Sequence, residues 1–153
     1  MPYDLIPAIT VKLRADSVVT SLLPSGANGI VLAQNVAAGR ADNSLLLPCI
    51  AIADGGSRAN PLPFSSTSIH LRIYDNADPN SFTYLNIDRI SDECIRVLHR
   101  TPLDTRMSYQ TLLELWYDNF ISPELYDDVL RLPYRYIRFR AYTVSQFHDD
   151  RGG

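Results

Sequence analysis

The run Tyr134 to Val144 (YRYIRFRAYTV) constrains this chain more than any other stretch. Ile137, Phe139 and Ala141 alternate with Tyr136, Arg138, Arg140 and Tyr142, the period of two that gives a strand one dry and one wet face. A second alternation places Ile69, Leu71 and Ile73 between His70, Arg72 and Tyr74, so two half-buried strands are expected in one sheet. Something apolar must cover their dry face.

The covering layer is readable as helix. Ile87, Ile90, Cys94, Val97 and Leu98 form an apolar stripe over 81–99, with Asp88, Asp92 and Glu93 early and Arg96, His99 and Arg100 late, the charge order a helix dipole favours. Thr101-Pro102 stops it. Between Asp4 and Leu23, apolar residues recur every three to four positions. Asp4 is available as an N-cap, Pro7 sits in the first turn, Asp16-Ser17 is a point of breakage or re-capping, and Pro24-Ser25-Gly26 is a firm end.

The remaining elements are shorter. Residues 29–34 (GIVLAQ) and 45–53 (LLLPCIAIA) read as strands, the second beginning irregularly at Pro48. The Gly/Ala-rich segment 35–44 reads as a mobile arm, and 54–66, opened by Asp54-Gly55-Gly56-Ser57, as a long loop of the kind that reaches for partners. Residues 75–80 form a turn, 111–117 a strand, and Ser122-Pro123-Glu124 the start of a short helix through Leu125, Val129 and Leu130, closed by Pro133. The expected architecture is α+β: an antiparallel or mixed β-sheet with two main helices packed on one face and long loops at 35–44 and 54–66. Residues 1–148 are expected to make a single domain, with 149–153 a frayed tail.

Chemistry is sparse in this pattern. His70, His99 and His148 fall in unrelated settings without metal-ligand spacing, and no phosphate-binding glycine loop or nucleophile elbow occurs. Cys49 and Cys94 lie in apolar contexts, where buried reduced thiols are expected rather than a nucleophile, disulfide or metal ligand. Acids at Glu124, Asp127 and Asp128 are those a helix N-terminus attracts. No catalytic residue, metal or cofactor is therefore expected. The 17 acidic against 14 basic residues give a net charge of −3, which gives no electrostatic reason to bind phosphate backbones or anionic lipid. The start, Met1-Pro2-Tyr3-Asp4, lacks signal-peptide order and no apolar stretch is long enough to span a bilayer, so synthesis in the cytoplasm is expected.

Two features point to protein partners. The β-face Tyr136, Arg138, Arg140 and Tyr142 combines residue types enriched where proteins meet, although aromatic pairing on a solvated strand face accounts for it equally well. The segments 35–44 and 54–66 carry Arg40, Arg58, Asn60 and Phe64 as candidate partner contacts.

Three segments in this order resemble a known family. Ser21-Leu22-Leu23-Pro24 followed by Leu47-Pro48-Cys49-Ile50-Ala51-Ile52 resembles that family's Pro-aromatic-Ile-x-Ile stretch, with Cys49 in the aromatic place. His70-Leu71-Arg72-Ile73-Tyr74-Asp75 precedes a helix as the family's strand does. Ser122 to Leu130, followed by Tyr134-Arg135-Tyr136-Ile137-Arg138-Phe139, resembles its ending. The family is that of tail-terminator and head–tail joining (neck) proteins of long-tailed bacteriophages, similar to the tail terminators of lambda and HK97. The resemblance implies a virion protein assembled in the host cytoplasm. It would form a homo-oligomeric, hexameric ring that caps the major tail tube protein's polymer and docks to the head-completion or connector protein, without sequence-specific nucleic-acid binding or membrane contact. Tyr136, Arg138, Arg140 and Tyr142 facing Glu124, Asp127 and Asp128 of a neighbouring copy are its candidate subunit interface. A head-completion (stopper) protein, or a non-viral α+β adaptor working through 54–66, are the alternatives.

Overall fold

The computed structural model of the chain describes residues 5–59, 64–76, 83–100 and 110–145. Its order is α1 (Leu5–Ala15), α2 (Ser17–Ser21), β1 (Ile30–Leu32), α3 (Val36–Ala41), β2 (Cys49–Ala59), β3 (Phe64–Tyr74), α4 (Thr83–Leu98), β4 (Gln110–Ile121), β5 (Leu125–Asp127) and β6 (Leu132–Ser145). The six strands form one mixed sheet ordered β1-β2-β3-β6-β4, with β5 pairing the start of β6 beside β4. The fold is α+β, as the strand and helix periodicities imply.

The longest alternating strand holds the centre. β6 pairs antiparallel with β3 from Phe64↔Val144 to Tyr74↔Tyr134, and with β4 from Gln110↔Ser145 to Ile121↔Ile137. That register pairs Ile69 with Phe139 and Leu71 with Ile137 on one face, where Ile73 and Ala141 are buried as well. Helices α1 and α4 cover this face. Leu5, Ile9 and Leu13, spaced four apart on α1, meet Ile87, Ile90, Cys94 and Leu98 of α4 over Ile50, Ile52 and Leu115.

The α1–α2 break lies at Asp16, whose carboxylate accepts from the Val18 and Val19 amides at 3.0 Å and so caps α2. Arg96 of α4 donates to the same carboxylate at 3.0 Å, tying the two helices together. The N-cap expected at Asp4 lies outside the described residues.

Three expectations are corrected. Residues 35–44 are not a mobile arm: 36–41 is α3, with Val36 buried against Leu45, Leu47, Cys49, Ala51, Tyr74 and Leu132 on the second sheet face. The reason is topological. β1 and β2 are parallel, so the chain must cross over between them, and α3 lies in that crossover. Gly39 fits there because a Cβ at that position would lie 2.9 Å from Leu45 Cβ.

The 54–66 loop is instead the distal part of a β2–β3 hairpin, paired as far as Ala59↔Ser65. Its pairing skips one residue between Asp54 and Gly56, which makes Gly55 the extra residue of a bulge.

The helix expected from Ser122 is the β5–β6 hairpin. Ser122 Oγ accepts from the Tyr136 amide at 2.9 Å, and Asp127 Oδ1 accepts from Val129 and Leu130 at 3.0 and 2.9 Å. That local Asx turn competes with the helix, and Arg131 completes the reversal with φ 57°.

Candidate functional site

The face of the sheet away from α1 and α4 carries the residues on which the sequence focuses attention. Alternation along β6 and β3 sets Tyr136, Arg138 and Arg140 opposite Arg72, His70 and Ser68. On the other side of β6, Phe120 lies opposite Arg138, and two residues, Asp118 and Asn119, separate it from Tyr117, which pairs with Phe139. This irregularity brings the Asp118 carboxylate between both arginines. Its Oδ2 accepts from Arg138 Nε at 2.7 Å and from Arg140 Nη2 at 3.2 Å.

The rings pack in the same layer. His70 stacks on Tyr136 with centroids 4.7 Å apart, Phe120 tilts against Tyr136 at 5.6 Å, and the Arg138 guanidinium sits 4.5 Å over Phe120. Burial, followed by the charges of Arg72 and Arg138, holds the His70 imidazole below its usual pKa. His70 therefore favours its neutral form within a cationic layer. Gly55 permits this packing, because a Cβ there would lie 2.7 Å from His70 Nε2.

The candidate interface is thus brought together only in part. Arg138 and Arg140 are paired to Asp118 and Tyr136 is stacked on His70 within the sheet, while Tyr142 is 40% exposed. On the acidic side, Glu124 accepts from Arg135 at 3.1 Å, Asp127 holds the hairpin turn and lies 3.4 Å from the Tyr74 hydroxyl, and Asp128 is exposed. Most of these charges have partners inside the same chain. Of the candidate partner contacts, Arg40 donates to the Leu45 carbonyl at 2.8 Å at the end of α3. Arg58 and Phe64 stand in the β2–β3 hairpin, paired in register with Ser66 and Val144, and Asn60 lies outside the described residues.

Both cysteines are buried and free, and burial pushes the Cys49 thiol up to about 12 and raises that of Cys94 further. His99 Nδ1 accepts from the Tyr117 amide at 3.0 Å, and its ring meets Trp116 edge-on. His148 lies outside the described residues. Among the described residues, no group of histidine, cysteine or carboxylate side chains is placed to hold a metal ion, and no helix is long and apolar enough to cross a membrane.

Two features were missed from sequence. Asp118 has no signature, because its importance comes from the local β4 irregularity. Val129, whose spacing predicts a helix face, is 90% exposed at a hairpin tip.

Neither a protein-family model nor a curated protein matches the sequence. Among solved structures, the chain is similar to one from the virion of a native gene transfer agent particle. The TM-score is 0.61 at 15% identity, and the likeness covers 93% of this chain and 95% of the other. At that identity the likeness establishes a shared fold, extending over almost the full length of both chains.

Proposed function

We propose that this chain is a structural protein of a phage-like virion, forming a hexameric ring at the head–tail junction that terminates the tail tube and joins it to the head. The observation that carries this reading is the near-complete fold overlap with a gene transfer agent virion chain. A fold match alone does not assign a role. Its weight here comes from agreement with the order of segments that resembles tail-terminator and neck proteins.

The chemistry of the described face suits assembly better than turnover. Arg138 and Arg140 are paired to Asp118 and His70 is stacked on Tyr136, a layer of mutually engaged side chains rather than a set of converging groups around a reacting atom. In a ring, each copy offers two different surfaces to its neighbours.

Incubating the purified chain with tail tubes and with DNA-filled heads of the corresponding particle tests the role. Rings seated on tube ends, which stop further tube growth, are expected in electron micrographs. Binding to heads alone would move the assignment to the head-completion position, and a monomer that engages neither would overturn it.

A further inference from the structure

An apolar groove of about 760 Å³ lies between α1 and the β1 edge of the sheet. Ile6 and Val11 line one side, Leu32 and Ile52 the other, and Arg14 and Asp54 supply charge. Two of its four polar side chains are tied to backbone carbonyls: the Thr10 hydroxyl donates to Ile6 at 2.9 Å, and Arg14 Nη2 to Ile30 at 2.7 Å. A small polar ligand would need converging donors and acceptors to orient it, and these two groups are already engaged. The groove is suited to an apolar side chain presented on protein. Val11 on its wall is 68% exposed.

Such a side chain stands at the opposite edge of the same sheet. The strand order begins at β1 and ends at β4, with β5 on the β4 side of β6. At the β5–β6 hairpin, Val129 is 90% exposed and Tyr126 53%. Asp127 fixes the tip by accepting from two amides, and Asp128 and Arg131 are exposed on either side of Val129. The tip is organised before it meets anything, which lowers the ordering cost of docking. Tip and groove each carry one acid and one base beside apolar surface, Asp128 and Arg131 at the tip and Asp54 and Arg14 at the groove, so the two surfaces are complementary in kind.

We infer that the β5–β6 hairpin of one copy docks through Val129 into the α1–β1 groove of a second copy. Because tip and groove occupy opposite sheet edges, the contact is head-to-tail and leaves one tip and one groove open until a ring closes. The inference deepens the ring reading proposed above and rests on it.

Val129→Asp damages only the tip and Val11→Asp only the groove, and both positions are exposed enough for the fold to survive. The test is native mass spectrometry of the full chain, alone and with tail tubes. The unmodified protein is expected to assemble and each variant to lose assembly. An equal mixture of the two variants should give a one-to-one heterodimer, because one intact tip and one intact groove remain between them.

A second arm pairs Val129→Cys with Val11→Cys in a single chain. Oxidation should produce a ladder of linked copies, and the two native cysteines are buried out of reach. If the unmodified protein assembles and both aspartate variants do too, with no ladder, the docking is overturned while the ring reading stands. If the unmodified protein stays monomeric even with tubes, the ring reading itself fails.

Discussion

Replacing Asp118 by Asn would keep the shape of the side chain and remove its charge from between two arginines. The carboxylate receives Arg138 at 2.7 Å and Arg140 at 3.2 Å, and the three side chains are 25–33% exposed, neither buried nor freely solvated. The Asn oxygen can still accept from each guanidinium, so what disappears is the ion-pair component, up to about 1 kcal/mol for each partly exposed pair. The two pairs together give a loss of up to about 2 kcal/mol. For a chain of this size that corresponds to a fall in Tm of up to about 8 °C.

Urea unfolding followed by circular dichroism measures the loss, and raising the salt concentration should shrink it by screening the partly exposed pair. A loss below about 0.3 kcal/mol, or no coupling with Arg138→Ala in a double-mutant cycle, would refute the idea that these charges hold one another rather than a neighbour. The same geometry changes what an Arg138→Glu, Arg140→Glu double variant would report. It would crowd carboxylates around Asp118 and destabilise the fold, so failure to assemble would say nothing specific about an interface.

Three further outcomes follow from the geometry. Asp16→Ala should cost about 1 kcal/mol through loss of the α2 cap. The Val19 amide first, with Arg96, holds the Asp16 carboxyl below its usual range, so its contribution is present above the unfolded value of about 3.9 and lost as pH falls through the folded one. Denaturation curves of wild type and variant should converge in acid. His70 has a lowered pKa, so the unfolded chain takes up the proton first and stability should decline as pH falls below about 6.5; His70→Phe, which keeps the stack on Tyr136, should flatten that part of the profile. Cys49 and Cys94 should resist a thiol reagent at pH 8 until the chain is unfolded, and rapid labelling of the native protein would contradict their burial.

What the sequence made legible were the elements that bury a repeating face. β3, β6 and α4 each set three or more apolar side chains at a regular period, and burial follows that period in the structure. Where side chains are small or polar, the signal fails. α3 buries Val36 alone among its six residues, so VAAGRA carries no stripe to read. Gly55-Gly56 resembles a turn in sequence, yet Gly55 is the bulge residue that lets His70 lie against the strand, a long-range requirement invisible locally. The 122–130 segment has helix-like spacing over little more than one turn, too few residues to outweigh the Asp127 turn and pairing with β6. Of the candidate interface, residue types were readable but partners were not. The arginines' counter-charge comes from Asp118, placed by the irregularity in β4 rather than by a motif.

The two edges of the sheet bear on how copies can meet. At β4, the amide of Arg100 donates to the Leu115 carbonyl at 2.8 Å and the Tyr117 amide donates to His99, so the end of α4 occupies main-chain groups that another strand would need. Strand addition is blocked along that stretch, and contact from this side must come through side chains. The β5–β6 hairpin supplies them, with Val129 and Tyr126 exposed on it. At the other edge β1 pairs only with residues 50–52 of β2, and the α1 groove opens beside the end of that short pairing. A protected edge with an exposed apolar tip and a short edge with an apolar recess are different surfaces. A copy meeting a copy through them must do so head to tail, the geometry that a closed ring requires and a two-fold dimer does not.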